Sequence, residues 1–136
     1  PIANVDGIPY MDGGLADSIP IEYALEKGND KIVVVLTRNP GYRKKRALKA
    51  TEQLYKRAYK KYPNLVRAIM TRNAVYNRQM KLIEKLEEEG KIFVIRPLIP
   101  TVSRMEKDYD KLQHFYMHGN RLMKKEYQGL LEYLNE

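Results

Sequence analysis

The chain has 136 residues, 43% of them hydrophobic, with no cysteine and a formal net charge of +8. Such a length supports one ordinary core, the composition is not that of a disordered segment, and disulfides and thiolate zinc sites are excluded. The excess of positive charge favours anionic partners (phospholipid surfaces, nucleic acid or acidic proteins) without choosing among them.

The chain opens as a β-hairpin. Asp6-Gly7 separates two short apolar stretches, residues 2–5 and 8–11, and an Asp-Gly pair suits a type I′ turn, whose two central residues both need positive φ. Asp12-Gly13-Gly14 makes a second sharp turn. Ser18 is placed to cap a helix, with Pro20 near its first position, apolar Ile21, Ala24 and Leu25 at helical spacing, and Gly28 at its end. Residues 31–37 then form a continuous β-branched run, the pattern of a parallel strand buried on both faces. It holds the longest apolar run, Ile32-Val33-Val34-Val35-Leu36, far short of the roughly 20 residues that span a bilayer.

After Asn39-Pro40-Gly41 the composition changes. Residues 43–61 read as a very basic helix, and Tyr62-Pro63-Asn64 breaks it, with Asn64 placed to cap a helix over 65–89 that Gly90 closes. Residues 92–96 form another strand, and Pro97 and Pro100 mark a loop. Ser103 or Asp108 caps a last helical stretch to about Asn135, which Gly119 is placed to break in two. Strand, loop, helix and strand in this order predict an α/β fold. The expected organisation is an end piece of a catalytic domain at 1–42, a basic helical insert at 43–90, and a strand with C-terminal helices at 91–136. The insert lies between two strands, as does the long crossover of a βαβ unit.

Asp12-Gly13-Gly14 taken alone reads as a turn, since aspartate followed by glycine needs no function to explain it. Its surroundings carry more. The stretch Ile8-Pro9-Tyr10-Met11-Asp12-Gly13-Gly14-Leu15-Ala16-Asp17-Ser18-Ile19-Pro20-Ile21, then Ala24, Gly28, Asp30-Lys31 and residues 32–37, resembles the patatin-like phospholipase family, above all its bacterial branch. Residues 98–100, Arg104, Glu106-Lys107-Asp108, Leu112, Tyr116 and Gly119 resemble the C-terminal region of the same members. The likeness is closest over 5–40, looser over 92–134 and faint over 43–90. It implies a three-layer α/β/α sandwich, of which this chain is the C-terminal part, and a serine lipid acyl hydrolase without a cofactor or metal. In that family a Ser-Asp dyad does the work: serine attacks an ester carbonyl and aspartate takes its proton as general base. Asp12 matches the dyad aspartate, and Gly13 and Gly14 match its turn, where tight bending benefits from the missing Cβ. Asp6 reads better as the hairpin turn, and Asp17 as a capping or solvated residue.

The family's nucleophile motif, Gly-x-Ser-x-Gly, is absent from these 136 residues. Neither Ser18 nor Ser103 is flanked by glycines, and no second glycine cluster stands ready as an oxyanion loop. The family places both elements N-terminal to its aspartate. Together with a start at Pro1 rather than methionine, this leads us to expect a piece of a longer protein, inactive by itself, whose N-terminal part is the missing partner. A truncated sheet is expected to self-associate or exchange strands between copies. The substrate implied is a lipid ester, and the compartment expected is the cytoplasm, with association to membranes.

Two other constellations stand beside this motif. Asp110, His114 and His118 share a helix face but lack a third strong metal ligand, so a solvated polar face accounts for them. A Ser103–His114–Asp110 triad lacks a nucleophile elbow. In the basic run, Arg43, Lys44, Lys45, Arg46 and Lys49 with interleaved tyrosines read first as a solvated face over a buried tyrosine and leucine stripe, next as a contact for an anionic lipid surface, and only then for nucleic acid. The rival reading of the chain is therefore a non-enzymatic basic module that binds a membrane surface or a protein partner, with Asp12 only a turn residue.

Overall fold

A computed structural model describes residues 2–45 and 49–135. The fold mixes helices with two small sheets, an α/β composition, and divides into two compact units. Each unit draws on two stretches of chain: the first on 1–27 and 43–82, the second on 28–42 and 83–136.

The first unit opens with strands β1 (Ala3–Val5) and β2 (Ile8–Tyr10), antiparallel with Val5 opposite Ile8. Asp6 and Gly7 take φ of 52° and 80°, the two positive angles that a type I′ turn requires. Every residue of both strands is exposed. A single 3-10 turn, Gly13–Leu15, leads to α1 (Ile21–Glu26). Ser18 does not cap α1, contrary to expectation. Pro20 occupies the N-cap without a side-chain bond, and the Ser18 hydroxyl donates instead to the Gly14 carbonyl at 2.9 Å. Gly28 follows α1 at φ 70°, the left-handed stop anticipated for it.

The basic stretch is not one helix from residue 43. Helix α2 covers Lys49–Ala58, whereas residues 43–45 have no helical structure. The reason lies on α3 (Pro63–Glu88). Its Asn77 accepts from the Lys44 N–H at 2.8 Å and donates to the Lys44 carbonyl at 3.0 Å, and Asn73 donates to the Lys45 carbonyl at 2.7 Å. Two asparagines one helical turn apart thus take the backbone groups that a helix would have used. Helix α3 begins at Pro63, where a missing N–H costs nothing, so Asn64 lies inside the helix and is not its cap. Among the described residues, Ile21, Val66, Tyr76 and Met80 are the buried apolar side chains of this unit, Met80 with 0% exposure.

In the second unit β3 (Val33–Val35) and β4 (Phe93–Ile95) run parallel with Val34 opposite Val94, as α/β chain order predicts. The chain between them carries α2 and α3. Burial on both faces of β3 is not found: Ile32, Val34 and Leu36 are buried while Val33 and Val35 are exposed, Val35 by 71%. A run of valines has no periodicity that marks one face as outer. Helix α4 (Tyr109–Asn135) packs on β4 and is unbroken at Gly119. A glycine costs a helix only about 1 kcal/mol, too little to interrupt 27 residues. Asp108 caps α4, accepting from the N–H groups of Asp110 and Lys111. The Tyr133 ring lies 5.8 Å from that of Phe93; its hydroxyl accepts from Ile32 N–H at 3.0 Å and donates toward the Lys91 carbonyl at 3.1 Å, joining α4 to both strand entrances.

Candidate functional site

Asp12 follows directly on the hairpin, at the cap of the 3-10 turn. Its Oδ1 accepts from the Gly14 N–H at 2.8 Å, and the turn closes with Leu15 N–H to the Asp12 carbonyl at 3.0 Å. The other carboxylate oxygen has no hydrogen bond among the described residues, and the side chain is exposed. Gly14 permits this close approach: a Cβ there would stand 3.1 Å from Oδ1. Any other residue at 14 would push the carboxylate aside.

Helix α3 holds the turn from outside. Arg72 Nε donates to the Gly14 carbonyl at 2.8 Å, and its Nη2 would lie 3.8 Å from that same Cβ, on the carboxylate's side of the turn. One helical stretch further, Gln79 donates to Asp17, and Arg78 pairs with Glu22 at 2.9 Å. Gln79 is 1% exposed and its Oε1 has no hydrogen-bond partner among the described residues. Asp17, one of the two rivals to Asp12, is thereby engaged with Gln79. Asp6, the other, is the hairpin turn itself. Arg72 and Gln79 did not stand out in the sequence. Their signal was a spacing of seven, two turns of one helix face, in a region read only for its apolar stripe.

Of the basic residues singled out for anionic lipid, Arg43, Lys44 and Lys45 sit in the strap clipped by Asn73 and Asn77. The Lys44 ammonium lies 4.0 Å above the centre of the buried Tyr76 ring, a cation–π contact that turns it inward. Arg46 and the Lys49 side chain lie outside the described residues.

The second unit has two cavities along α4. One of about 360 Å³ lies against the exposed face of β3 and β4, walled by Val35, Ile95, Phe115, Leu122 and Met123. The other, of about 820 Å³, gathers Ser103, Asp110 and His114. These three share a wall, yet among the described residues no hydrogen bond links them, so they do not form a triad. His118 accepts from the Leu98 N–H at 3.1 Å and so fastens the proline loop to α4. Among the described residues no group of three His, Cys, Asp or Glu is placed to hold a metal.

Charge perturbations also belong to this unit. Burial pulls the Arg96 guanidinium below its usual value, while the Glu84 carboxylate opposes the shift. Arg96 is 8% exposed and pairs with Glu87. At the other end, the N–H of Lys111 holds the Asp108 carboxyl below its ordinary value of 3.8.

No described helix is long and apolar enough to cross a membrane. No curated protein and no solved structure matches the chain. Residues 62–135, more than half of the chain, match the family model described as a domain of unknown function (DUF6363), and the chain belongs to that family.

Proposed function

We propose that the chain is the C-terminal part of a patatin-like serine acyl hydrolase and supplies Asp12 as the general base of a Ser-Asp dyad. The observation that carries this reading is the Asp12 carboxylate. One oxygen is held by the Gly14 amide at 2.8 Å, and the other has no hydrogen bond among the described residues, on an exposed turn. A base that deprotonates a serine directly needs this combination, since the amide fixes its orientation and the free oxygen receives the proton. In this proposal Gly-x-Ser-x-Gly and the oxyanion loop lie in a preceding segment of the same protein, and the substrate is a lipid ester met by a cytoplasmic enzyme at a membrane surface.

The same proposal makes β3, β4 and the helices beside them the rim of a three-layer sandwich. Exposed Val33 and Val35 on the sheet, and exposed Ile2, Val5, Ile8 and Tyr10 around the hairpin, support it. Apolar side chains in such number suit surfaces that another segment covers. In their absence from the preparation, copies of the chain are expected to self-associate through these surfaces, which light scattering at high concentration reads; a strictly monomeric solution counts against that association.

The test uses the gene's reading frame extended upstream. The longer protein is expected to contain Gly-x-Ser-x-Gly and to hydrolyse a short-chain p-nitrophenyl ester, with Asp12→Asn lowering the rate by about 10²–10⁴, the usual worth of a general base. The 136-residue chain alone is expected to give no turnover. An upstream frame without the serine motif, or full activity in D12N, overturns the reading.

A further inference from the structure

All of the excess positive charge sits on one unit. The first unit has 14 basic and 6 acidic residues, a net +8, whereas the second has 11 of each. Within the first unit, residues 53–82 hold eight basic residues and no acidic one. The strap at 43–45 spends its backbone on asparagines and Lys44 on Tyr76, whereas further basic residues gather at the corner between α2 and α3. There Lys56, Tyr59, Lys60 and Arg67 line a groove of about 420 Å³. Lys56 is paired with Glu52 at 2.8 Å, but Lys60 and Arg67 have no acidic partner among the described residues.

Beside this groove α2 shows an apolar side chain to water. Tyr55 and Tyr59 stack with centroids 6.2 Å apart and are half-buried, while Leu54 is 66% exposed and Tyr62 is exposed too. Leu54 stands one turn from exposed Arg57 and Ala58, and exposed Lys61 follows just past the end of α2. An exposed apolar tip and a tyrosine on a segment rich in cations match the interface of an anionic bilayer, where cations meet headgroup phosphates and apolar tips enter the acyl boundary. Nucleic acid would use the same cations but gains nothing from an exposed leucine.

We infer that the α2–α3 corner, through Lys60, Lys61, Arg67, Leu54 and Tyr62, docks this chain on anionic phospholipid bilayers. The surface is separate from Asp12 and stands whether or not the hydrolase reading does. Because the chain contains no tryptophan, Leu54→Trp places a single reporter at an exposed position that folding does not need. The full chain is mixed with vesicles of phosphatidylglycerol in phosphatidylcholine, with pure phosphatidylcholine, and with a single-stranded oligonucleotide at matched salt. Expected are sedimentation with the anionic vesicles alone, a blue shift of L54W emission on binding, and release as salt rises. Lys60→Gln with Arg67→Gln should lower partitioning on the order of fivefold per charge, while the control pair Lys124→Gln and Lys125→Gln on α4 leaves it unchanged. Circular dichroism verifies that each variant is folded. Failure to bind anionic vesicles, binding without a blue shift, equal loss in the α4 control, or tighter binding to the oligonucleotide each overturns the proposal.

Discussion

The first unit is strongly basic and presents its polar side chains to other parts of the chain: Arg72 to Gly14, Gln79 to Asp17, Asn73 and Asn77 to the strap at 43–45. The second unit is electrically balanced and is organised by apolar packing around two paired strands, with Tyr133 and His118 tying α4 to strand and loop. Helix α3 serves both, with Met80 in one core and Ile83 in the other, each fully buried. The contrast separates two uses of one helix. Upstream of Leu82 its polar face positions loops while Val66, Tyr76 and Met80 pack inward, and downstream its apolar face completes a core.

The sharpest way to break this comparison is to empty one core at a time. Met80→Ala and Ile83→Ala should each cost about 2–5 kcal/mol, the range for deleting a fully buried side chain. Because α3 is one continuous helix, both are expected to lower a single melting transition. Two transitions that respond separately to the two variants would mean that the units unfold independently. A smaller effect probes the Arg96–Glu87 pair of the balanced unit, whose arginine is buried. Glu87→Gln leaves Arg96 short of its counter-charge in a nearly closed site and should cost about 1–3 kcal/mol. The figure stays below that for a fully buried pair because the Glu87 side chain is 39% exposed. An unchanged melting temperature would show that water reaches Arg96.

The smallest expected effect is acid sensitivity at the start of α4. Asp108 has a folded-state pKa below its unfolded value, so the charged cap stabilises the fold above that unfolded value, near 3.8. The contribution fades as pH falls through the lowered native value. Asp108→Asn keeps a capping side chain without the charge and should flatten this part of the stability–pH profile on the acid side of the ordinary carboxyl value of 3.8. A profile identical to the parent's would mean that other carboxylates set the acid limb.

Local chemistry was legible in the sequence wherever a few neighbouring residues decide the outcome. Asp6-Gly7 has one good turn, Gly28 and Gly90 stop helices at positive φ, and Asp108 is well placed to cap α4. The parallel pairing of β3 with β4 followed from the order of elements. What failed were statements about who sits opposite. Ser18 turned to Gly14, and residues 43–45 left the helix for two asparagines. The valines of β3 are exposed on one face.

Sequence alone therefore determined the hairpin turn, the helix stops, the α/β order and the Asp-Gly-Gly motif with the chemistry it suggests. Tertiary structure decided that the Asp12 turn is braced by Arg72, that residues 28–42 group with 83–136, and that the whole net charge falls on one unit. The physical reason is range. Turn and cap preferences are settled within about four residues, whereas a hydrogen bond from Arg72 to Gly14 spans 58 positions, and no local pattern records it.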